Sequence, residues 1–189
     1  DILQGIFAVP INGEADKERY VVTVTRQGMI KRSAVGDLPG ASASTFTLVK
    51  VNENDELFEV LLTRGDQDLL LVTAAGMSIR FNENEVRSMG LVAAGVNAIK
   101  LKPGDYVVGA AAIDDRDEVA LLTQKGLAKR AAGSEYPLQG RYGQGVIAWK
   151  LDKDDQVSAA LVGKLTDRGI CHFRKSASKV FTITNAISR

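Results

Sequence analysis

A short pattern recurs along the chain: Thr, two residues, Gly, three residues, Arg. It stands at Thr25–Gly28–Arg32, Thr73–Gly76–Arg80 and Thr123–Gly126–Arg130, at intervals of 48 and 50 residues. A self-similar period of this size constrains the fold more than any single residue does. It calls for a propeller or a related array, in which each unit buries its apolar face against the next. Repetition also places copies of one surface at regular intervals on one object.

Other marks keep the same register. Asp1, Asp55, Asp105 and Asp155 each precede an apolar segment: ILQGIFAV, ELFEVLLT, YVVGAAAI and QVSAALVG. Lys50, Lys100 and Lys150 lie 50 apart, in VKV, IKL and WKL, and Gly95–Val96 and Gly145–Val146 open two of these segments. One unit therefore reads as a strand after the Asp, a second strand running into the Thr, a Gly turn, a third strand ending at the Arg, and a loop leading to a fourth strand around the Lys. The segments are short, rich in Val, Ile, Leu and Thr, and bounded by Gly, Asp and Asn. The Gly suits a hairpin turn that needs positive φ. No segment keeps a helical period over three turns. The units are 1–52, 53–102, 103–151 and 152–189. The fourth is degenerate: Arg174 stands in place of the Thr, Ala177 in place of the Gly and Phe181 in place of the Arg. Such a unit either caps the array or precedes further units.

Composition bounds the class. The chain has 189 residues, 45% hydrophobic and 25% charged, which is ordinary for a folded domain. It begins with Asp1, so it reads as a segment of something longer or as a processed chain. No run approaches the length of a bilayer span, and the start lacks the marks of a signal peptide. The single cysteine, Cys171, allows no intrachain disulfide. A net charge of +1 does not by itself point to nucleic acid; its cations would have to be segregated in space.

The stretches RGDQDLLLVTAAGMSIRFNENEVRSMGLVAAGVNAIKLKPGDYVVGAAA and DEVALLTQKGLAKRAAGSEYPLQGRYGQGVIAWKL resemble repeats of the C-terminal domain of the DNA gyrase A and topoisomerase IV A subunits. The resemblance implies an all-β fold, a β-pinwheel of about four four-stranded repeats over 1–189, whose propeller-like blades exchange strands with their neighbours. It implies a non-catalytic domain that binds duplex DNA on the outer rim of a disc and bends or wraps it. Its partners would be the rest of the A subunit, together with the ATPase B subunit, in the bacterial cytoplasm, with no cofactor and no membrane. The four tyrosines lie within the repeats, so none is a candidate for the DNA-cleaving nucleophile.

Gyrase A domains carry the heptapeptide QRRGGKG in a loop between the third and fourth strands of one blade. The matching loop here is Gln139, Gly140, Arg141, Tyr142, Gly143, Gln144 and Gly145. Gln139, Arg141, Gly143 and Gly145 agree, while Gly140 and Gln144 replace basic residues. The unit 1 loop, LPGASAS, has no basic residue. Box-like loops of this kind leave gyrase and topoisomerase IV both open.

A DNA-binding rim needs cations aimed at phosphates, and such contacts carry no sequence information. The candidates are Lys31, Arg32, Arg80, Lys129 and Arg130 on third strands, Lys50, Lys100 and Lys150 on fourth strands, and Arg87 and Arg141 in loops. Position 31 corresponds to Ile79 in unit 2, which thins that row. The same residues also read as a solvated strand face, or as Arg paired with the recurrent Asp. A protein-interaction module of the same fold is the alternative function. His172 beside Cys171 lacks the companions of a zinc site. Asp114 to Asp117 reads as a turn, and Trp149 and Phe46 read as core.

Overall fold

The computed structural model describes residues 18–40, 45–172 and 177–185. The expected strand at ILQGIFAV, part of the LPGASAS loop, and Arg174 and Lys175 lie outside them. Thirteen strands form four antiparallel sheets among the described residues. They are β1 (Tyr20–Thr25), β2 (Met29–Ala34), β3 (Leu57–Thr63), β4 (Asp68–Thr73), β5 (Met77–Asn82), β6 (Val96–Asn97), β7 (Val107–Ile113), β8 (Glu118–Thr123), β9 (Ala128–Ala132), β10 (Val146–Ile147), β11 (Val157–Gly163), β12 (Arg168–Cys171) and β13 (Lys179–Thr182). The only described helical turns are single 3-10 turns following the third strands, such as Glu83–Glu85 and Gly133–Glu135.

The sequence period and the sheets do not coincide. The first sheet has order β3-β1-β2-β6 and the second β10-β5-β4-β7. Each is built on the hairpin of one unit, and both outer strands come from the unit that follows. The third sheet, β11-β8-β9, and the pair β12-β13 continue the series. The units bounded at 52, 102 and 151 are thus sequence periods whose strands are shared between neighbouring sheets.

The fourth strand differs from expectation. In units 2 and 3 it shrinks to two residues, and 45–50 of unit 1 form no strand. Topology supplies the reason: β6 pairs with β2 and β10 with β5, each on the third strand of the unit before. No described hairpin precedes unit 1 to receive its segment.

The uninterrupted apolar run of β4 follows from its position. Leu69 and Leu71 pack with Val22, Val24 and Ile30 of the first sheet, while Leu70 and Val72 pack with Val119, Leu121 and Val157 of the third. A strand covered on both faces shows no alternation. Burying each such Leu or Val stabilises the fold by about 1.5–3 kcal/mol. The first strands β3, β7 and β11 pack side by side. Gly109 permits this approach: a Cβ there would lie 2.4 Å from that of Ala160.

The Thr and Gly of the signature build the hairpin. Gly28, Gly76 and Gly126 have φ of 76°, 77° and 82°. The Oγ1 of Thr25, Thr73 and Thr123 accepts the amide of Met29, Met77 and Leu127 at 3.1, 3.3 and 3.2 Å. The recurrent Asp caps the turn of the preceding unit. Asp55 Oδ1 accepts the amides of Gln27 and Glu56, Asp105 those of Ala75 and Tyr106, and Asp155 those of Lys125 and Gln156.

Candidate nucleic-acid interface

The structure divides the ten predicted cations into two groups. The third-strand residues find partners inside the protein. Arg80 is 8% exposed. Its Nε and Nη2 donate to Asp68 Oδ2 at 3.0 and 2.8 Å, and its Nη1 donates to Asp115 Oδ1 at 2.7 Å and to the carbonyls of Gly133 and Tyr136. Burial works against its charge, but the carboxylates of Asp115 and Asp68 outweigh burial and raise its pKa. Arg32 is also buried; its guanidinium stacks 4.3 Å from the Tyr20 ring and donates to Asn84 Oδ1 at 2.9 Å. Fully buried Glu83 lies 3.8 Å away. Arg130 donates to Glu118 Oε2 at 3.0 Å. Each Arg thus anchors to position 20, 68 or 118 across its own hairpin, and Arg32 and Arg80 reach on into the next unit. The pairing expected with the recurrent Asp is corrected: those Asp residues cap turns.

The neighbouring lysines are engaged in the same way. Lys31 is 1% exposed and donates from Nζ to the Leu48 carbonyl, and burial lowers its pKa. Lys129 Nζ donates to the Ala148 carbonyl at 2.6 Å. Residues 48 and 148 are equivalent, so both lysines do the same work. In unit 2, where Ile79 has nothing to donate, the Ala98 carbonyl accepts the Tyr142 amide at 2.8 Å.

The box-like loop spends its one cation internally. The Arg141 amide donates to Glu85 Oε2 at 2.7 Å, its Nε to the Glu85 carbonyl at 3.2 Å and its Nη1 to the Asn97 carbonyl. Gln139 N donates to the Arg80 carbonyl, as Met89 N does to that of Arg32 one unit earlier. Gly145 seats the end of the loop: with φ 75°, a Cβ would lie 2.3 Å from the Ser78 carbonyl oxygen. Gly140, Tyr142 and Gln144 are exposed, and Gly143 is half-buried.

Lys50, Lys100, Lys150 and Arg87 remain. All four are exposed, and their side chains have no partner among the described residues. The backbone holds two of the lysines in place. Lys50 N donates to the Ala93 carbonyl at 3.3 Å and Lys100 N to the Gly143 carbonyl at 2.9 Å. Each of these two lysines is therefore tied to the third-to-fourth-strand loop of the following unit. Exposed Lys102, absent from the sequence candidates, lines the same open groove as Lys100, Asn97 and Tyr142. The periodic pattern passes over it because it breaks the period: its counterparts are Asn52 and Asp152.

The weaker sequence signals have plain structural roles. Asp114 to Asp117 forms the β7–β8 turn, where Asp114 N donates to Asp117 Oδ2 at 2.7 Å. Trp149 packs on the second core, whereas Phe46, expected in the core, is 46% exposed. His172 Nδ1 lies 2.7 Å from Ser178 Oγ. Among the described residues, no group of His, Cys, Asp and Glu is arranged to hold a metal, and no helix is long and apolar enough to cross a membrane.

Known proteins share this geometry. The family model for the DNA gyrase C-terminal domain, beta-propeller, matches residues 19–64, 67–114 and 117–164. These bounds track the sheets: each match begins at a hairpin and ends after the next first strand. The DNA gyrase A subunit of Haloquadratum walsbyi is 39% identical over 140 residues, or 73% of the chain. That of Salmonella typhimurium is 41% identical over 133 residues, or 69%. The chain spans only 16% and 15% of the length of these relatives. The crystal structure of the C-terminal domain of DNA topoisomerase IV superposes with a TM-score of 0.85 at 26% identity, covering 94% of this chain and 56% of that one. The E. coli ParC C-terminal domain shares the fold, with a TM-score of 0.69 at 22% identity over 88% of this chain and 70% of that one. Three matched repeats and strands shared between adjacent sheets lead to one conclusion: the chain belongs to the family of DNA gyrase A C-terminal domains.

Proposed function

We propose that the chain is a non-catalytic DNA-binding and DNA-bending domain of a type IIA topoisomerase A subunit, which takes duplex DNA by its phosphates along the rim of a disc. It would act within the A subunit, beside the ATPase B subunit, in the bacterial cytoplasm. The observation that carries this reading is the lysine row at 50, 100 and 150. The three side chains are exposed, are free of partners among the described residues and recur in register. A curved row makes more contacts with bent than with straight DNA, which offsets a bending cost of about 1–6 kcal/mol over a short site.

The rival reading, a protein-interaction module, draws on a specific observation. Six of the ten predicted cations are engaged inside the protein. Titration of a dye-labelled duplex with the chain at increasing salt separates the two. The DNA reading predicts log K falling linearly with log salt, with a slope of about −0.9 per neutralised phosphate. Absent binding at low salt, or binding indifferent to salt, contradicts it.

A further inference from the structure

Two residues leave ordinary backbone geometry at equivalent points of successive repeats. Val92 has φ 68° and Tyr142 φ 66°. Among the described residues, the other non-glycine residues at positive φ are Asn54 and Asp154, whose short polar side chains tolerate this region. A β-branched Val and a bulky Tyr do not, and glycine would serve the turn better. Neither side chain repays the strain by burial: Val92 is 56% exposed and Tyr142 48%.

The surroundings hold both apices in place. Gly95 and Gly145 close their loops against the carbonyls of Ile30 and Ser78. The Tyr142 amide donates to the Ala98 carbonyl, and the adjoining Gly143 carbonyl accepts from Lys100 N. The Ala93 carbonyl, next to Val92, accepts from Lys50 N. An exposed lysine of one unit and an exposed apolar apex of the next are thus joined through the backbone, twice, by the bond from the lysine amide to the carbonyl after the apex.

We infer that Val92 and Tyr142 are apolar DNA contacts that work with this lysine row, an inference that rests on the DNA-binding reading above. Lys50 and Lys100 take phosphates, and the apex beside each enters the adjoining groove to pack on sugar and base edges. Apolar side chains inserted this way widen or kink the duplex and favour bending. The larger Tyr ring covers more of the groove than Val does, and this contact reads no base sequence. Tyr142 is accordingly the stronger of the two contacts.

The test uses a short duplex carrying a donor and an acceptor dye, read for both affinity and bend. Tyr142→Gly suits the left-handed backbone and removes the ring; Tyr142→Asn is a second variant tolerated there, and Tyr142→Phe keeps the ring. Gly and Asn are expected to weaken binding about 3- to 10-fold, from losing cover over the exposed half of the ring, with the salt slope unchanged and the bend reduced. Phe stays near wild type, and Val92→Gly shows a smaller loss. Wild-type affinity and bend in Tyr142→Gly overturn the inference and leave the DNA reading standing. A loss accompanied by a shallower salt slope also overturns it, because Tyr142 would then act only by placing Lys100. No DNA binding by the unaltered chain overturns both.

Discussion

Replacing Arg80 by Ala separates a structural role from a DNA role. Two charge-assisted bonds to Asp68, itself 20% exposed, contribute about 1.5–3 kcal/mol. The bonds to the Gly133 and Tyr136 carbonyls add about 0.5–1.5 kcal/mol each. Asp115 is 71% exposed, so water replaces its partner and it adds about 0–1 kcal/mol. The expected loss is about 3–5 kcal/mol, in the range seen when one member of a buried pair is removed. Urea unfolding followed by circular dichroism should show a lower midpoint at unchanged m. Arg80→Lys should recover part of the loss, since an ammonium cannot fork onto Asp68 while reaching Asp115. Under conditions where the variant is folded, its DNA salt slope should match wild type. An unchanged midpoint together with a salt slope shallower by about one unit, as for a lost phosphate contact, would refute the assignment of this Arg to the interior.

Two glycines of similar φ should respond differently to alanine. Gly126→Ala meets nothing within 4 Å and bears only the left-handed backbone cost of about 1–2 kcal/mol. Gly145→Ala also drives a Cβ against the Ser78 carbonyl, so its unfolding midpoint should fall further and its loop should become open to limited proteolysis. Acid should weaken the cap at Asp155. Partial removal from water pushes its pKa up, but the Thr123 hydroxyl and the amides of Gln156 and Lys125 outweigh that and leave it lowered. A lowered carboxyl stabilises above its unfolded pKa, near 3.9, and that stability is lost as pH falls through the folded value. Asp155→Asn should therefore lower the urea midpoint at pH 7 and flatten its decline between about pH 5 and pH 2.

The repeat was legible because its parts are local. Thr25 to Gly28 closes one hairpin, and the pattern alone locates it. The role of Arg80 was not legible, because its anchors keep the period in position but not in chemistry. Positions 20, 68 and 118 hold Tyr, Asp and Glu, so no repeated partner appears in the sequence. Its remaining partners, Asp115, Gly133 and Tyr136, belong to the next unit and are reached only once strands are exchanged. Lys31 misled for a related reason. A lysine on a strand suggests solvent, yet β2 lies between β1 and the borrowed β6, and the Leu48 carbonyl above it needs a donor. The row at 50, 100 and 150 could be read directly, since it depends on exposure and spacing alone. Val92 gave no sign in the sequence, and Tyr142 stood there only as a member of the box-like loop, because backbone strain is visible only in three dimensions.

In the function proposed above, the lysine row and not the arginine row meets DNA. The most direct test is the salt dependence of duplex affinity for the chain with Lys50, Lys100 and Lys150 all changed to Gln. The account predicts an unfolding midpoint equal to wild type and a log–log slope shallower by about 3, since each lost phosphate contact removes about 0.9. A slope equal to wild type, with affinity retained, would contradict it.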